Sequence, residues 1–158
     1  MKRLLAAAFL ALSLIGPSTS RAQATIGGQV DYGQDTDFGV GGRIELGLPT
    51  VAPVRLVGSF DYFFPDRDEL DYWEANANLT FTKALRRSSL WPYFGGGLNL
   101  AHSDLGNRSR TEAGANVLVG IKYVGAPAVP FAELRAEIFG GEQFVLTGGL
   151  LFLVGPSP

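Results

Sequence analysis

Hydrophobic and polar residues alternate one by one through most of the chain after residue 24. The alternation falls into eight segments, each about as long as a tilted membrane strand of ~9–11 residues. We predict strands at Ala24–Tyr32, Asp37–Leu48, Val54–Phe64, Tyr72–Thr82, Pro92–His102, Thr111–Tyr123, Phe131–Phe139 and Gln143–Leu153. Turn-forming Gly, Pro, Asp, Asn and Ser fill the gaps between them. The pattern therefore predicts an all-β chain of eight strands.

One segment, Phe131–Phe139, with the sequence FAELRAEIF, fits either a strand or a short amphipathic helix. A period of 3.6 gives an apolar stripe, whereas a period of two puts Glu133, Arg135 and Glu137 on one face. The segment lies between Pro130 and two glycines, it is short for a helix, and the other seven segments have a period of two. We therefore predict a strand, and its three charges raise the question of which face is inside.

The two faces of the eight segments differ in charge. One face consists of aliphatic, aromatic and small residues and has no charged residue in any segment. The charges lie on the other face: Asp31, Arg43, Glu45, Arg55, Asp61, Glu74, Glu112, Lys122, Glu133, Arg135 and Glu137. A soluble barrel or sandwich would turn the apolar face inward, whereas an outer-membrane barrel would turn it to lipid.

Three features favour the membrane barrel. The apolar face has about ten large aromatic residues, more than an interior of eight strands readily holds. The charged face is rich in glycine, which weakens a solvated strand but leaves room for long side chains inside a narrow barrel. A charge facing lipid costs ~2–4 kcal/mol near the midplane, so lipid explains why that face has none. We therefore predict an eight-stranded antiparallel up-and-down transmembrane β-barrel.

Aromatic residues also concentrate at the segment ends, which predicts a girdle at each membrane interface. The girdle residues are Tyr32, Phe38, Tyr62, Phe64, Tyr72, Trp73 and Phe144 near one set of connections, and Trp91, Tyr93, Tyr123 and Phe152 near the other. With eight strands both termini lie on one side, which we assign to the periplasm. The charged connections then face outward.

The start of the chain predicts export. A basic tip, an apolar run at Leu4–Ile15 and the small residues Ala22 and Ala24 form a cleaved signal peptide at residues 1–24, followed by a barrel domain at residues 25–158. Removal of Lys2, Arg3 and Arg21 lowers the formal net charge from −2 to −5, which argues against a nucleic-acid partner. The chain has no Cys, so disulfides and thiolate metal sites are excluded.

At the level of this pattern, the chain resembles the small eight-stranded outer-membrane β-barrel proteins, the opacity-protein-like barrels. The resemblance covers all of residues 25–158 and implies a location in the outer membrane of a Gram-negative envelope. It also implies contacts with outer-membrane lipid, lipopolysaccharide and the outer-membrane assembly machinery. Members commonly end in a strand whose terminal aromatic residue that machinery reads. Here Phe152 is the candidate, although six residues follow it.

The interior charges could line a pore or fill the barrel as ion pairs. Eight strands leave room for side chains but not for an aqueous channel, and buried charges need partners. We therefore predict an interior ion-pair network of Arg43, Glu45, Arg55, Asp61, Glu74, Glu112, Lys122, Glu133, Arg135 and Glu137.

Sequence signals for catalysis are weak. His102 and Ser103 are adjacent, and adjacent strand residues point to opposite faces, so they cannot readily share a proton.

We predict no catalytic residue, metal or cofactor, and a structural or surface-interaction role in the envelope. Any extracellular ligand would bind the loops at Pro65–Asp71 and Ser103–Arg110. The alternatives are a periplasmic lipocalin-like barrel with an apolar ligand and, third, an outer-membrane lipid-modifying hydrolase.

Overall fold

A computed structural model describes residues 24–48, 53–65, 70–106, 108–139 and 142–154. The signal peptide predicted at residues 1–24 lies outside these residues, except for Ala24. The strands are β1 (Ala24–Gly33), β2 (Asp37–Gly47), β3 (Val54–Phe64), β4 (Leu70–Thr82), β5 (Leu90–Leu105), β6 (Arg108–Tyr123), β7 (Ala128–Ile138) and β8 (Phe144–Val154). In the described ranges, no helix has the length and apolar character needed to cross a membrane.

The eight strands form one closed barrel in which each strand pairs antiparallel with the next along the chain. The barrel closes where β1 pairs with β8, from Ala24 opposite Val154 to Gly33 opposite Val145. We call the end where β1 begins and β8 ends the basal end, and the opposite end the distal end. The architecture predicted from the alternation is confirmed, including a strand at FAELRAEIF.

Side chains alternate between a polar interior and an apolar exterior along every strand. Glu133, Arg135 and Glu137 point inward and are 2%, 1% and 4% exposed. The exterior carries large apolar side chains such as Leu98, which is 68% exposed. A lipocalin-like barrel would have the reverse arrangement, so the alternative of a periplasmic lipocalin-like barrel is wrong. The exterior has the surface that lipid requires of a transmembrane barrel.

Three strands extend past their neighbours at the distal end. The pairing of β3 with β4 ends at Phe63 opposite Tyr72, and the pairing of β6 with β7 ends at Ala115 opposite Ile138. Beyond these points β4, β5 and β6 continue to pair with one another. We call this extension the distal ledge; it comprises residues 70–71, 102–105 and 108–113. The predicted strands at Pro92–His102 and Thr111–Tyr123 were therefore too short at the distal end.

Interior glycines leave the space that large inward side chains occupy. Gly39 on β2 lies opposite Phe63 on β3, whose ring is 1% exposed. A Cβ atom at Gly39 would lie 2.8 Å from Cδ1 of Phe63, closer than non-bonded carbon atoms pack. The glycine thus admits the ring into the barrel.

We expect Gly39→Ala to lower the free energy of unfolding by about 1–3 kcal/mol, because the added methyl group overpacks the interior against Phe63. Gly28→Ala is the matched control, since a Cβ there meets its nearest atom, a backbone oxygen, only at 3.9 Å. Urea unfolding in detergent micelles, followed by tryptophan fluorescence, measures both variants. In the double variant with Phe63→Leu, the cost of Gly39→Ala should shrink; an unchanged cost would contradict the packing explanation.

Candidate functional site in the barrel interior

The interior charges form two groups, and the first lies toward the basal end. Glu45 accepts a hydrogen bond from Lys122, with 2.5 Å between Nζ and Oε2, and one from Arg43 at 3.0 Å. Arg43 also donates to Glu133 at 2.8 Å, which joins β2 to β7 across the lumen. Arg55 lies 3.9 Å from Glu45. We call Arg43, Glu45, Arg55, Lys122 and Glu133 the basal cluster.

Two aromatic rings pack inside the basal cluster. The Tyr93 hydroxyl donates to Glu133 at 2.8 Å, and the Lys122 ammonium lies 4.6 Å from the centre of the Tyr93 ring. The Arg43 guanidinium lies 4.6 Å from the centre of the Phe131 ring. Cations over aromatic faces are favourable, and more so away from water. The rings therefore fill space and stabilise the cations at the same time.

The second group, the distal cluster, surrounds a single arginine. Arg135 on β7 donates to Glu137 and to Glu74, each at 2.9 Å, and lies 3.7 Å from Asp61. Gln143, directly before β8, bridges the two glutamates. Its Nε2 atom donates to Glu74 at 2.8 Å and to Glu137 at 3.1 Å. The guanidinium, 1% exposed, thus holds β3, β4 and β7 together.

Neutral donors satisfy the remaining oxygens of the distal cluster. Asp61 accepts hydrogen bonds from Gln29 at 2.7 Å, Ser59 at 3.0 Å and Asn76 at 3.2 Å. Thr147 donates to Asp31 at 2.5 Å. A buried charge is tolerated when hydrogen bonds and opposite charges compensate it. The two clusters therefore form hydrogen bonds and ion pairs across the lumen, one toward its basal end and one toward its distal end.

Of the ten residues predicted for the network, Glu112 lies outside both clusters. It pairs with Arg110 two residues away on the same strand, and the Arg110 side chain is 74% exposed. The prediction for Glu112 is wrong because β6 extends beyond the barrel at this end. An inward-pointing side chain at this level, such as that of Glu112, lies at the open mouth of the barrel and not in its lumen. The other nine residues lie in the two clusters.

Three of the aromatic residues predicted for the girdles point inward instead. Tyr93 is 3% exposed within the basal cluster, Tyr72 donates to Glu74 at 2.8 Å, and Trp91 lines the basal mouth of the lumen. Their position near strand ends suggested an interface, but their place in the two-residue period puts them on the charged face. The other eight point outward: Tyr32, Phe38, Tyr62, Phe64, Trp73, Tyr123, Phe144 and Phe152.

The interior also contains polar residues that the predicted network did not include. Asp31, Gln29, Gln143 and Thr147 all join the distal cluster. The signal was present for all four, because the two-residue period puts Asp31 and Gln29 on the charged face of the first predicted strand, and Gln143 and Thr147 on that of the last. Hydrogen-bond partners four strands apart cannot be inferred from the alternation.

His102 lies on the outer face of the distal ledge. Its ring stacks on Trp73 with 5.0 Å between ring centres, and Nδ1 lies 2.7 Å from the Thr111 hydroxyl. Nε2 lies 3.4 Å from the Ser109 hydroxyl. Ser103 is on the opposite face of β5, as the sequence predicts for adjacent strand residues. A nucleophile–base–acid arrangement needs a carboxylate to orient the base, and a hydroxyl takes that place here.

Acidic side chains elsewhere do not converge on a metal. In the part of the chain that the structure describes, no group of three or more His, Asp or Glu side chains has the geometry to hold a metal ion. The carboxylates of the two clusters are taken up by arginine, lysine, amide and hydroxyl donors. The arrangement supports packing and rigidity of the barrel.

Solved structures share this fold at low sequence identity. The N-terminal β-barrel domain of Pseudomonas aeruginosa OprF matches with a TM-score of 0.68 and 16% identity, over 84% of this chain and 98% of that one. Neisserial surface protein A matches with a TM-score of 0.61 and 19% identity, over 82% and 95%. Ail of Yersinia pestis matches with a TM-score of 0.51 and 15% identity, over 84% and 96%.

No protein-family model and no curated protein sequence matches the chain. The likeness to solved structures therefore concerns the fold, and the apolar exterior, polar interior and closed antiparallel topology agree with it. The chain is a small eight-stranded barrel with the fold of the outer-membrane β-barrel proteins.

Proposed function

We propose that the protein is an integral barrel of the outer membrane with a closed interior, and that its role is structural or surface-binding and non-enzymatic. The observation that carries the proposal is the pair of ion-pair clusters inside an apolar exterior. Arg43, Lys122 and Arg135 reach across the lumen to acids on other strands. Side chains that compensate one another in this way fill an eight-stranded barrel and leave no room for a water column.

The basal end is assigned to the periplasm and the distal end to the cell exterior. A chain exported with a signal peptide reaches the membrane from the periplasm, and the strand count places Ala24 and Val154 at the same end. The distal ledge then projects outward on a rigid support. Surfaces presented by a rigid scaffold are where recognition concentrates, so a ligand outside the cell would meet the ledge and the neighbouring loops.

The partners follow from the surface. The apolar exterior contacts the acyl chains of lipid and lipopolysaccharide, and the outward aromatic residues lie at the interfaces. Phe152 on β8 is 50% exposed on the outer face, where the outer-membrane assembly machinery could contact it. Neither partner requires an opening through the barrel.

In planar lipid bilayers, we expect the purified, folded protein to give no stable open-channel steps, because both clusters obstruct the lumen. The measurement is single-channel current at a series of fixed voltages. Heat-modifiable migration on a gel shows beforehand that the inserted protein is folded, and a general porin inserted in the same bilayer is the positive control. A steady conductance of porin size from folded protein would refute the closed interior.

A further inference from the structure

The lumen opens at the basal end into a cavity of about 110 Å³, which we call the basal vestibule. Inward side chains from all eight strands line it, and the basal cluster contributes to its lining through Glu45, Arg55 and Lys122. It is separate from the distal loops, where the proposed function places recognition. Three properties of its lining point to a ligand.

The first property is an excess of positive charge that resides at Arg55. The basal cluster has three cations, Arg43, Arg55 and Lys122, against the two carboxylates of Glu45 and Glu133. Glu45 Oε2 already accepts a hydrogen bond from Lys122 at 2.5 Å, and Arg55 Nη1 lies 3.9 Å from that oxygen, beyond hydrogen-bond distance. The Arg55 side chain is 22% exposed, whereas those of Arg43 and Lys122 are 2% and 5% exposed. The guanidinium is available to an anion from the basal side.

The second property is a pair of buried hydroxyls without partners. Thr25 and Thr82 both line the vestibule, and each is 6% exposed. Among the described residues, neither Oγ1 atom has a hydrogen-bond partner. Buried hydroxyl groups in folded proteins nearly always have one, and of the several buried polar atoms without a partner in the described interior, these two line the vestibule. Both hydroxyls can donate to an anion that Arg55 holds.

The third property is an apolar wall. Trp91, Val129 and Leu151 line the same cavity, and Leu151 is 1% exposed. The vestibule therefore places apolar side chains beside the accessible cation of Arg55. A bare inorganic anion would leave this wall without a partner, whereas an aliphatic chain would cover it.

We propose that the basal vestibule binds a short aliphatic monocarboxylate. The carboxylate accepts hydrogen bonds from Arg55, Thr25 and Thr82, and the alkyl chain packs against Trp91 and Leu151. Planar guanidinium groups bind carboxylates through two parallel hydrogen bonds, which gives the site both charge and orientation. The small volume admits a ligand of only a few carbon atoms. The inference stands apart from the proposed function, because it does not depend on where the barrel inserts or whether it conducts.

The test uses tryptophan fluorescence of the folded, full-length protein in detergent. The chain has two tryptophans, so Trp73→Phe leaves Trp91 as the only one. Butanoate is the probe, butanol has the chain without the charge, and inorganic phosphate has the charge without the chain. We expect a saturable change in Trp91 emission with butanoate alone. An equal response to butanol or to phosphate, or no saturable response to butanoate, would overturn the proposal.

Variants assign the binding to the vestibule. Arg55→Gln should weaken butanoate binding about tenfold or more, since a charge-assisted contact is lost. Arg108→Gln, on the distal ledge, is the matched control and should bind as the parent does. If Arg55→Gln does not fold, as judged by heat-modifiable migration, Thr82→Val replaces it, with an expected two- to fivefold loss. Parental affinity in the variant that is tested would overturn the assignment.

Discussion

Arg135→Ala is expected to lower the free energy of unfolding by about 3–5 kcal/mol, because it leaves buried carboxylates without their cation. Arg135 is the only cation of the distal cluster, where it contacts Asp61, Glu74 and Glu137. Removing it leaves these three acids facing one another at positions that are at most 4% exposed. Urea unfolding in detergent micelles, with heat-modifiable migration as a second readout, measures the loss.

Arg108→Ala is the matched control for this effect. Arg108 is exposed on the distal ledge, opposite Leu105 in the β5–β6 hairpin, and its charge is solvated. Exposed charges contribute ~0–1 kcal/mol. If the two variants lose the same stability, the distal cluster does not bury Arg135 among acids in the folded protein.

Gly148→Arg is expected to lower the free energy of unfolding in lipid vesicles by about 2–4 kcal/mol, through the cost of a charge in the hydrocarbon layer. Gly148 lies on the outward face of β8, midway between Phe144 and Phe152, the two outward aromatic residues of that strand. A Cβ atom added there meets no other atom within 4 Å, so packing does not oppose the substitution. Equilibrium unfolding in vesicles of defined lipid measures the cost.

Gly148→Leu at the same position separates charge from size. The leucine adds apolar surface in contact with acyl chains, and we expect the protein to be as stable as the parent or more so. A barrel with the same fold in water would show the opposite order, with arginine tolerated and leucine unfavourable. That reversed order would contradict the assignment of this face to lipid.

The two-residue period was sufficient to predict the faces, because lipid and a filled lumen impose opposite chemistry on alternate residues. At FAELRAEIF the glutamates and the arginine point inward, as the charge-free face in the other segments predicted. The partners of these charges could not be predicted. Which acid faces Arg135 depends on the stagger between strands around the closed barrel, and that stagger is a property of the whole sheet.

The errors have a common origin at the ends of the strands. Tyr93 and Trp91 were assigned to an interface by position, although the period already placed them inside. Glu112 was assigned to the lumen by the period, although its strand had left the barrel at that level. Ser103, Asp104 and Arg110 have the composition of a loop, so nothing local indicated that β5 and β6 continue to pair there.

The pairing of β1 with β8 has a consequence for how the molecule is made. Every other pair joins strands that follow each other in the chain, so a meander of seven hairpins can grow step by step. Until the last strand arrives, both margins of the meander carry unpaired amides and carbonyls, which hydrocarbon penalises by several kcal/mol each. We therefore expect insertion and ring closure to proceed together, because the residues at Val145–Val154 supply the pairing that removes the last open edge.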